Sequence, residues 1–147
     1  MTVWDPVQIV VGVDGSEQSL RAARVAAGMA RAQGAKLHIV TVVRPPEGWW
    51  GVVGSPPPAD ALSASMERAQ RSVLDKTVEA VDMSDLDVTA TEEIGDPASA
   101  LADYCEQAGA GLLIVGRRGA GMVERLVLGS VADRLAHHAP CALMIVP

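Results

Sequence analysis

Glycines and one serine make up the part of the chain whose spacing best suggests chemistry. Gly116 and Gly119 follow directly after the apolar run 112–115, and Gly129 and Ser130 come after nine further residues. A glycine loop after a buried strand lets bare amides approach a phosphate, and the next helix adds free amides and its dipole. The pattern therefore predicts a nucleotide phosphate site. The alternative is that these glycines serve turn geometry alone and that Ser130 only caps the helix.

Other residues would contact the rest of a nucleotide. Asp14 follows the first apolar run and can accept from a ribose hydroxyl or hold a divalent cation. An Asx turn, in which Asp14 only shapes the chain, is the alternative. Val42, near the end of the second apolar run, is placed to meet a base through its backbone. Arg117 and Arg118 lie inside the glycine loop, where they either reach the phosphates or point to water.

Apolar runs and helical patterns alternate along the chain and predict the elements that hold these residues. Residues 44–58 are rich in Pro, Gly and Trp and predict a long loop. Alternation of apolar and polar residues in 86–91 indicates an edge strand. The predicted strands are 7–13, 37–43, 86–91, 111–115 and 141–146, and the predicted helices are 16–32, 59–81, 97–108 and 130–137.

This order predicts an α/β fold: a five-stranded parallel sheet of order 3-2-1-4-5 with helices on both faces, Rossmann-like and suited to adenine nucleotides. The chain reverses its winding direction between strands 1 and 4, and ligands bind beside the carboxyl ends of the strands at such a point. Val13, Asp14 and Gly15 would therefore lie beside Gly116 in one crevice.

Composition narrows the classes of protein that fit. With 147 residues, of which 49% are hydrophobic, we expect a single domain over residues 1–147. The net charge of −6 argues against binding to nucleic acid or to anionic membranes. No apolar run approaches the roughly 18 residues that a spanning helix needs. The N-terminus lacks the features of a signal peptide, so we expect a cytoplasmic protein in which Cys105 and Cys141 are buried, reduced thiols.

These motifs resemble those of the universal stress protein family, and in particular its ATP-binding branch. The family signature is a Gly, two residues, a Gly, nine residues, and a Gly followed by Ser or Thr, and it occurs here without a gap. The resemblance covers nearly all of the chain except the Trp/Pro loop. The matching segments are 11–16, 95–98, 142–146 and the signature residues Gly116, Gly119, Gly129 and Ser130.

The resemblance implies that the protein binds ATP with Mg²⁺ and that Asp14 and the Val42 backbone face the ribose and the adenine. We also expect Asp14 to hold the metal, and nucleotide occupancy to be signalled to a protein partner during stress. The resemblance also implies a homodimer through strand 141–146, which the apolar character of this edge strand supports independently. The implied nucleotide contacts are Val13, Asp14, Gly15, Val42, Gly116, Arg117, Gly119, Gly129, Ser130 and Val131.

An enzymatic role has little support in the sequence. There is no GxxxxGK[ST] element, no base, nucleophile and orienting group can be assembled, and His38 lies within a predicted strand as part of the core or surface. We expect slow ATP hydrolysis at most. Two other functions stay open: a cyclic AMP binder, and a nucleotide-independent dimer that contacts proteins, for example through Trp49 and Trp50.

Overall fold

The computed structural model describes residues 4–44, 59–118 and 128–147, without the side chains of 59–63. The strands are β1 Gln8–Gly12, β2 Lys36–Val43, β3 Val88–Ile94, β4 Leu112–Gly116 and β5 Ala142–Val146. The helices are α1 Glu17–Gln33, α2 Ala59–Ala80, α3 Pro97–Ala108 and α4 Ser130–His138.

All pairings between these strands are parallel, in the order β3-β2-β1-β4-β5. The predicted fold class is therefore confirmed. Most of the predicted loop, residues 45–58, lies outside the described residues. Within the described ranges, no helix is both long enough and apolar enough to cross a bilayer.

The third strand lies further along the chain than predicted. Leu86 donates its amide to the Met83 carbonyl over 3.0 Å and so belongs to a turn, whereas pairing with β2 begins at Val88 and continues to Ile94. The apolar alternation extended into the turn before the strand, while Glu92 and Glu93 concealed the strand's second half. Among the described strands β3 pairs only with β2, as expected for an edge.

Helices cover both faces of the sheet because successive strand residues point to opposite sides. On one face, Ile9 and Val11 of β1 pack with α1 and α2, and small alanines of α1 allow a close approach. On the other face, Val10 packs with α3 and α4. The buried alanines of α1 are Ala22, Ala23, Ala26, Ala27 and Ala30.

The two cysteines are free thiols on the α3/α4 face, as expected, but only Cys105 is buried and Cys141 is half-buried. Burial raises the pKa of the Cys105 thiol to about 12. Cys105 is therefore protonated at neutral pH, which makes it a core residue rather than a nucleophile.

Helix caps fix where the helices begin at the carboxyl edge of the sheet. Ser16 caps α1 and accepts from the Ser19 amide over 3.2 Å. Asp96 caps α3 in the same way, and Pro97 occupies the first turn, where its missing N–H costs nothing. The N-terminal ends of both helices thus lie beside the ends of the strands.

Candidate functional site

The carboxyl ends of β1, β2 and β4 open into a cavity of about 360 Å³, where the winding of the sheet reverses. This volume lies in the range of small-molecule sites. Gly15 is not among the lining residues because it turns the chain, with φ +86°, toward the cap of α1. Gly119 lies outside the described residues. The predicted contacts that line the cavity are Val13, Asp14, Val42, Gly116, Arg117, Gly129, Ser130 and Val131.

The N-terminus of α4 forms one wall. Gly129, not Ser130, is the N-cap, so the alternative in which Ser130 only caps the helix is not realised. The first intrahelical bond runs from the Asp133 amide to the Gly129 carbonyl, over 2.9 Å. The amides of the three preceding residues therefore have no acceptor within the helix, and all three residues line the cavity. An anion at this position would meet free N–H groups and the positive end of the helix dipole.

Arg117 is fixed by its backbone at the same wall. Its amide donates to the Val146 carbonyl over 2.7 Å, and its carbonyl accepts from the Gly129 amide over 2.8 Å. Its side chain lines the cavity, and its buried Nε has no hydrogen-bond partner among the described residues. Arg118 lines the cavity as well. Both arginines thus line the cavity, and their contact with phosphates stays a prediction.

Gly116 has a packing role that the sequence pattern did not reveal. A Cβ at this position would lie 2.9 Å from Cβ of Gln18 and 3.0 Å from its carbonyl carbon. Glycine is therefore needed for the close approach of α1. The same residue lines the cavity, so the glycine pattern serves the packing of the sheet as well as the site.

Asp14 forms the Asx turn, one of the two roles that the sequence left open, and its contact with a ligand stays a prediction. Its Oδ1 accepts from the Ser16 amide over 2.9 Å, which is an Asx turn, and its own amide donates to Oγ of Ser19 over 3.3 Å. The exposed carboxylate also lines the cavity. The turn thus holds an acidic side chain at the mouth of the site.

The α4 N-terminus, Arg117 and Asp14 form the polar part of the cavity lining. An apolar part, most of which sequence reasoning missed, lies across from it. Val40 and Val42 of β2 form one side, and Pro97 and Leu101 of α3 form the other. The i, i+4 spacing of Pro97 and Leu101 directly after the Gly95–Asp96 turn was an available signal. The lining residues not predicted as contacts are Gly12, Ser19, Val40, Arg44, Pro97, Leu101, Val115, Arg118 and Ala132.

Asp96 joins three elements at the rim of the cavity. Its Oδ1 pairs with Nη2 of Arg44 over 3.1 Å, and its Oδ2 pairs with Nη1 of Arg134 in α4 over 2.6 Å. The Ser99 amide donates to Oδ2 over 3.1 Å. This amide, together with Arg134, holds the pKa of the Asp96 carboxyl below its usual value. Asp96 is therefore an anion at neutral pH that fixes Arg44 beside the cavity.

The described residues contain no group of three or more His, Cys, Asp or Glu side chains arranged to hold a metal ion. Asp14 is the carboxylate that lines the described part of the cavity. Magnesium is commonly bound by one or two carboxylates together with ligand phosphates and water. These residues fit a metal that arrives with a nucleotide rather than a site built from protein ligands alone.

Comparison with known proteins identifies the family. A family model described as the universal stress protein family matches residues 8–147. The chain belongs to this family. A universal stress protein of Thermus aquaticus, encoded beside a QAH/OAS sulfhydrylase gene, is 33% identical over 141 residues, covering 94% of this chain and 96% of that protein.

Solved structures of the family share the fold. A universal stress protein in complex with cAMP is 28% identical, with a TM-score of 0.67 and coverage of 97% of this chain and 98% of that one. A universal stress protein from Archaeoglobus fulgidus in complex with dAMP is 19% identical, with a TM-score of 0.68 and coverage of 96% and 98%. At 19% identity, the second likeness concerns the fold alone.

Proposed function

We propose that this universal stress protein binds ATP with Mg²⁺ and acts as a nucleotide-dependent regulatory dimer that signals its occupancy to a protein partner. The observation that carries the proposal is the two-ended cavity at the reversal of the sheet. Its apolar end suits a purine base, and its other end combines the α4 amides with Arg117 and Arg118. A cavity with one apolar and one positively charged end matches a ligand that has a flat apolar base at one end and phosphates at the other.

Every predicted contact except Gly15 has a place in this proposal. The Val42 backbone would contact the base, and Val13 and Asp14 would contact the ribose, with Asp14 also sharing a magnesium ion with the phosphates. Gly116 and Gly129 would let the phosphates approach the backbone closely, Ser130 and Val131 would offer their amides to them, and Ser130 would add its hydroxyl. Arg117 would supply positive charge, and Gly119 would let backbone amides approach the phosphate oxygens.

Cyclic AMP is the second candidate ligand, because a 28% identical family member was solved in complex with it. The charge of the site favours ATP. A triphosphate gains more than a single cyclic phosphate from Arg117 and Arg118, which line the cavity together with the N-terminus of α4. Comparing ATP, ADP, AMP and cyclic AMP as ligands therefore separates the two candidates.

The test combines nucleotide analysis of the purified protein with calorimetric titrations in the presence and absence of Mg²⁺. The critical variant is Ser130→Glu, because a glutamate in the first helical turn favours helix formation yet places negative charge where the phosphates would lie. We expect ATP affinity to fall at least about tenfold, the effect of roughly 1.4 kcal/mol of repulsion. Adenosine affinity should change little.

The matched control is Gln107→Glu, which adds the same charge at an exposed position near the C-terminal end of α3, whereas the cavity lies at the N-terminal end of this helix. It should bind ATP as the wild type does. Equal ATP affinity in Ser130→Glu and wild type would mean that the phosphates do not lie at α4. A wild-type protein that binds no adenine nucleotide would refute the proposal itself and leave the protein-interaction alternative.

A further inference from the structure

Arg44 continues the apolar wall of the cavity to its mouth. Val40, Val42 and Arg44 are every second residue, so their side chains follow one another on the same face of the chain. Val40 is buried, Val42 is half-buried and Arg44 is exposed, yet all three line the cavity. The guanidinium of Arg44 therefore lies where the apolar end of the site opens to solvent.

The edge of this guanidinium is held in place. Nη2 of Arg44 donates to Oδ1 of Asp96 over 3.1 Å, and Asp96 is itself tied to the Ser99 amide and to Arg134. A guanidinium can form hydrogen bonds in its plane while its flat faces stack on an aromatic ring. The ion pair thus orients Arg44 without using its faces.

Among the described residues, the apolar end offers a base little else to stack on. Its described lining consists of the aliphatic side chains of Val40, Val42, Pro97 and Leu101, and it contains no aromatic ring. Arg117 and Arg118, the other planar groups in the described lining, belong to the loop that follows β4. Arg44 is therefore the planar side chain at the end where the base would lie.

We infer that Arg44 recognises the base of the bound nucleotide, its guanidinium stacked on the purine ring while Asp96 holds its edge. The inference rests on the proposed function and assigns a base-recognition role to a residue outside the glycine signature. It also explains how a site whose described lining lacks aromatic residues would retain adenosine.

The test is a titration of adenosine, ATP and tripolyphosphate into wild type, Arg44→Lys and Arg44→Met. Lysine keeps the positive charge but lacks the planar guanidinium group. Methionine, an unbranched side chain, lacks both. Stacking by a cation on a ring corresponds to about threefold to thirtyfold in affinity. We expect the affinity for adenosine and ATP to fall by this factor in Arg44→Met and by less in Arg44→Lys, which keeps a cation, and tripolyphosphate to bind unchanged in both.

Arg31→Met is the matched control, because Arg31 is likewise a partly exposed arginine paired with a carboxylate, that of Asp85, but neither residue lines the described cavity. It should bind all three ligands as wild type does. Wild-type affinity for adenosine in Arg44→Met would overturn the inference, as would a parallel loss of tripolyphosphate binding, which would show that Arg44 acts on the phosphates. If wild type binds neither adenosine nor ATP, the proposed function has failed as well.

Discussion

At the scale of single residues, His38 shows how a candidate chemical group can be part of the core. It is buried in β2, with Nε2 2.6 Å from Oε1 of Gln8 and Nδ1 2.8 Å from the hydroxyl of Tyr104. The Tyr104 hydroxyl also lies 3.2 Å from Oγ1 of Thr91. A neutral imidazole that donates from Nε2 and accepts at Nδ1 satisfies every partner. The interpretation of His38 as a structural residue agrees with this geometry.

This environment predicts a pH dependence. Burial, and then the nearby charge of Lys36, lowers the pKa of His38 from its ordinary 6.5. Between the folded-state pKa and 6.5, the unfolded chain binds more protons at this residue than the folded chain does. The contribution of His38 to the free energy of unfolding is therefore complete above about pH 6.5 and decreases as the pH falls below it.

Titration of the His38 ring signals by NMR measures the pKa directly. We expect a midpoint below 6.5. Denaturation of wild type and His38→Gln from pH 8 to pH 5 should show that the wild type loses more stability below pH 6.5, since only it carries the titrating ring. A ring midpoint at or above 6.5 would show that the charged form is accommodated and would contradict the buried arrangement.

At the scale of elements, two glycines of similar appearance in the sequence have opposite roles. Gly28 is exposed in the middle of α1, and a Cβ there would meet no atom within 4 Å. Gly28→Ala should therefore raise the free energy of unfolding by about 0.5–1 kcal/mol. At Gly116, a Cβ would lie within 3.0 Å of α1 backbone, so Gly116→Ala should lower it by about 1–3 kcal/mol.

Urea denaturation of the two variants beside wild type tests the pair, and Gly28→Ala serves as the control for adding a methyl group. If Gly116→Ala retained wild-type stability, α1 would not pack as closely on the end of β4 as described. The glycine would then be explained by ligand binding alone.

Sequence patterns predicted those helices and strands whose position depends on neighbouring residues in the chain. The Asp96–Pro97 pair marked the start of α3, and continuous apolar runs marked the buried strands. The bounds of β3 could not be found in this way, because the length of β3 depends on its pairing with β2, which continues as far as Ile94. The Pro97–Leu101 wall was missed for a related reason: its part in the site depends on the position of α3 above β2, which no local pattern encodes.

At the scale of the whole molecule, charge is distributed unevenly. The chain carries a net charge of −6, yet Arg44, Arg117 and Arg118 line the described cavity together with the single carboxylate of Asp14. An acidic exterior repels extended polyanions, while a locally positive cleft attracts a small anion that can enter it. This distribution suits a nucleotide better than a nucleic acid, as the composition predicted.

The two edges of the sheet provide the last prediction, which concerns assembly. Among the described strands, β5 pairs only with β4, and its apolar residues Leu143, Met144 and Ile145 are half-buried. A second copy paired along this edge would cover them. Sedimentation of wild type should give a mass of about 31 kDa, twice the 15.3 kDa of one chain.

Lysine substitutions at the two edges decide which one pairs. Ile145→Lys places a charge on β5, and its long aliphatic stem can still cover the apolar surface beneath, so the chain should fold and sediment as a monomer. Ile94→Lys places the same charge on β3, where the side chain is already 56% exposed, and should remain a dimer. The reverse result would move the interface to β3, away from β5, whose Val146 carbonyl accepts from the Arg117 amide. A partner copy would then no longer border the proposed nucleotide site.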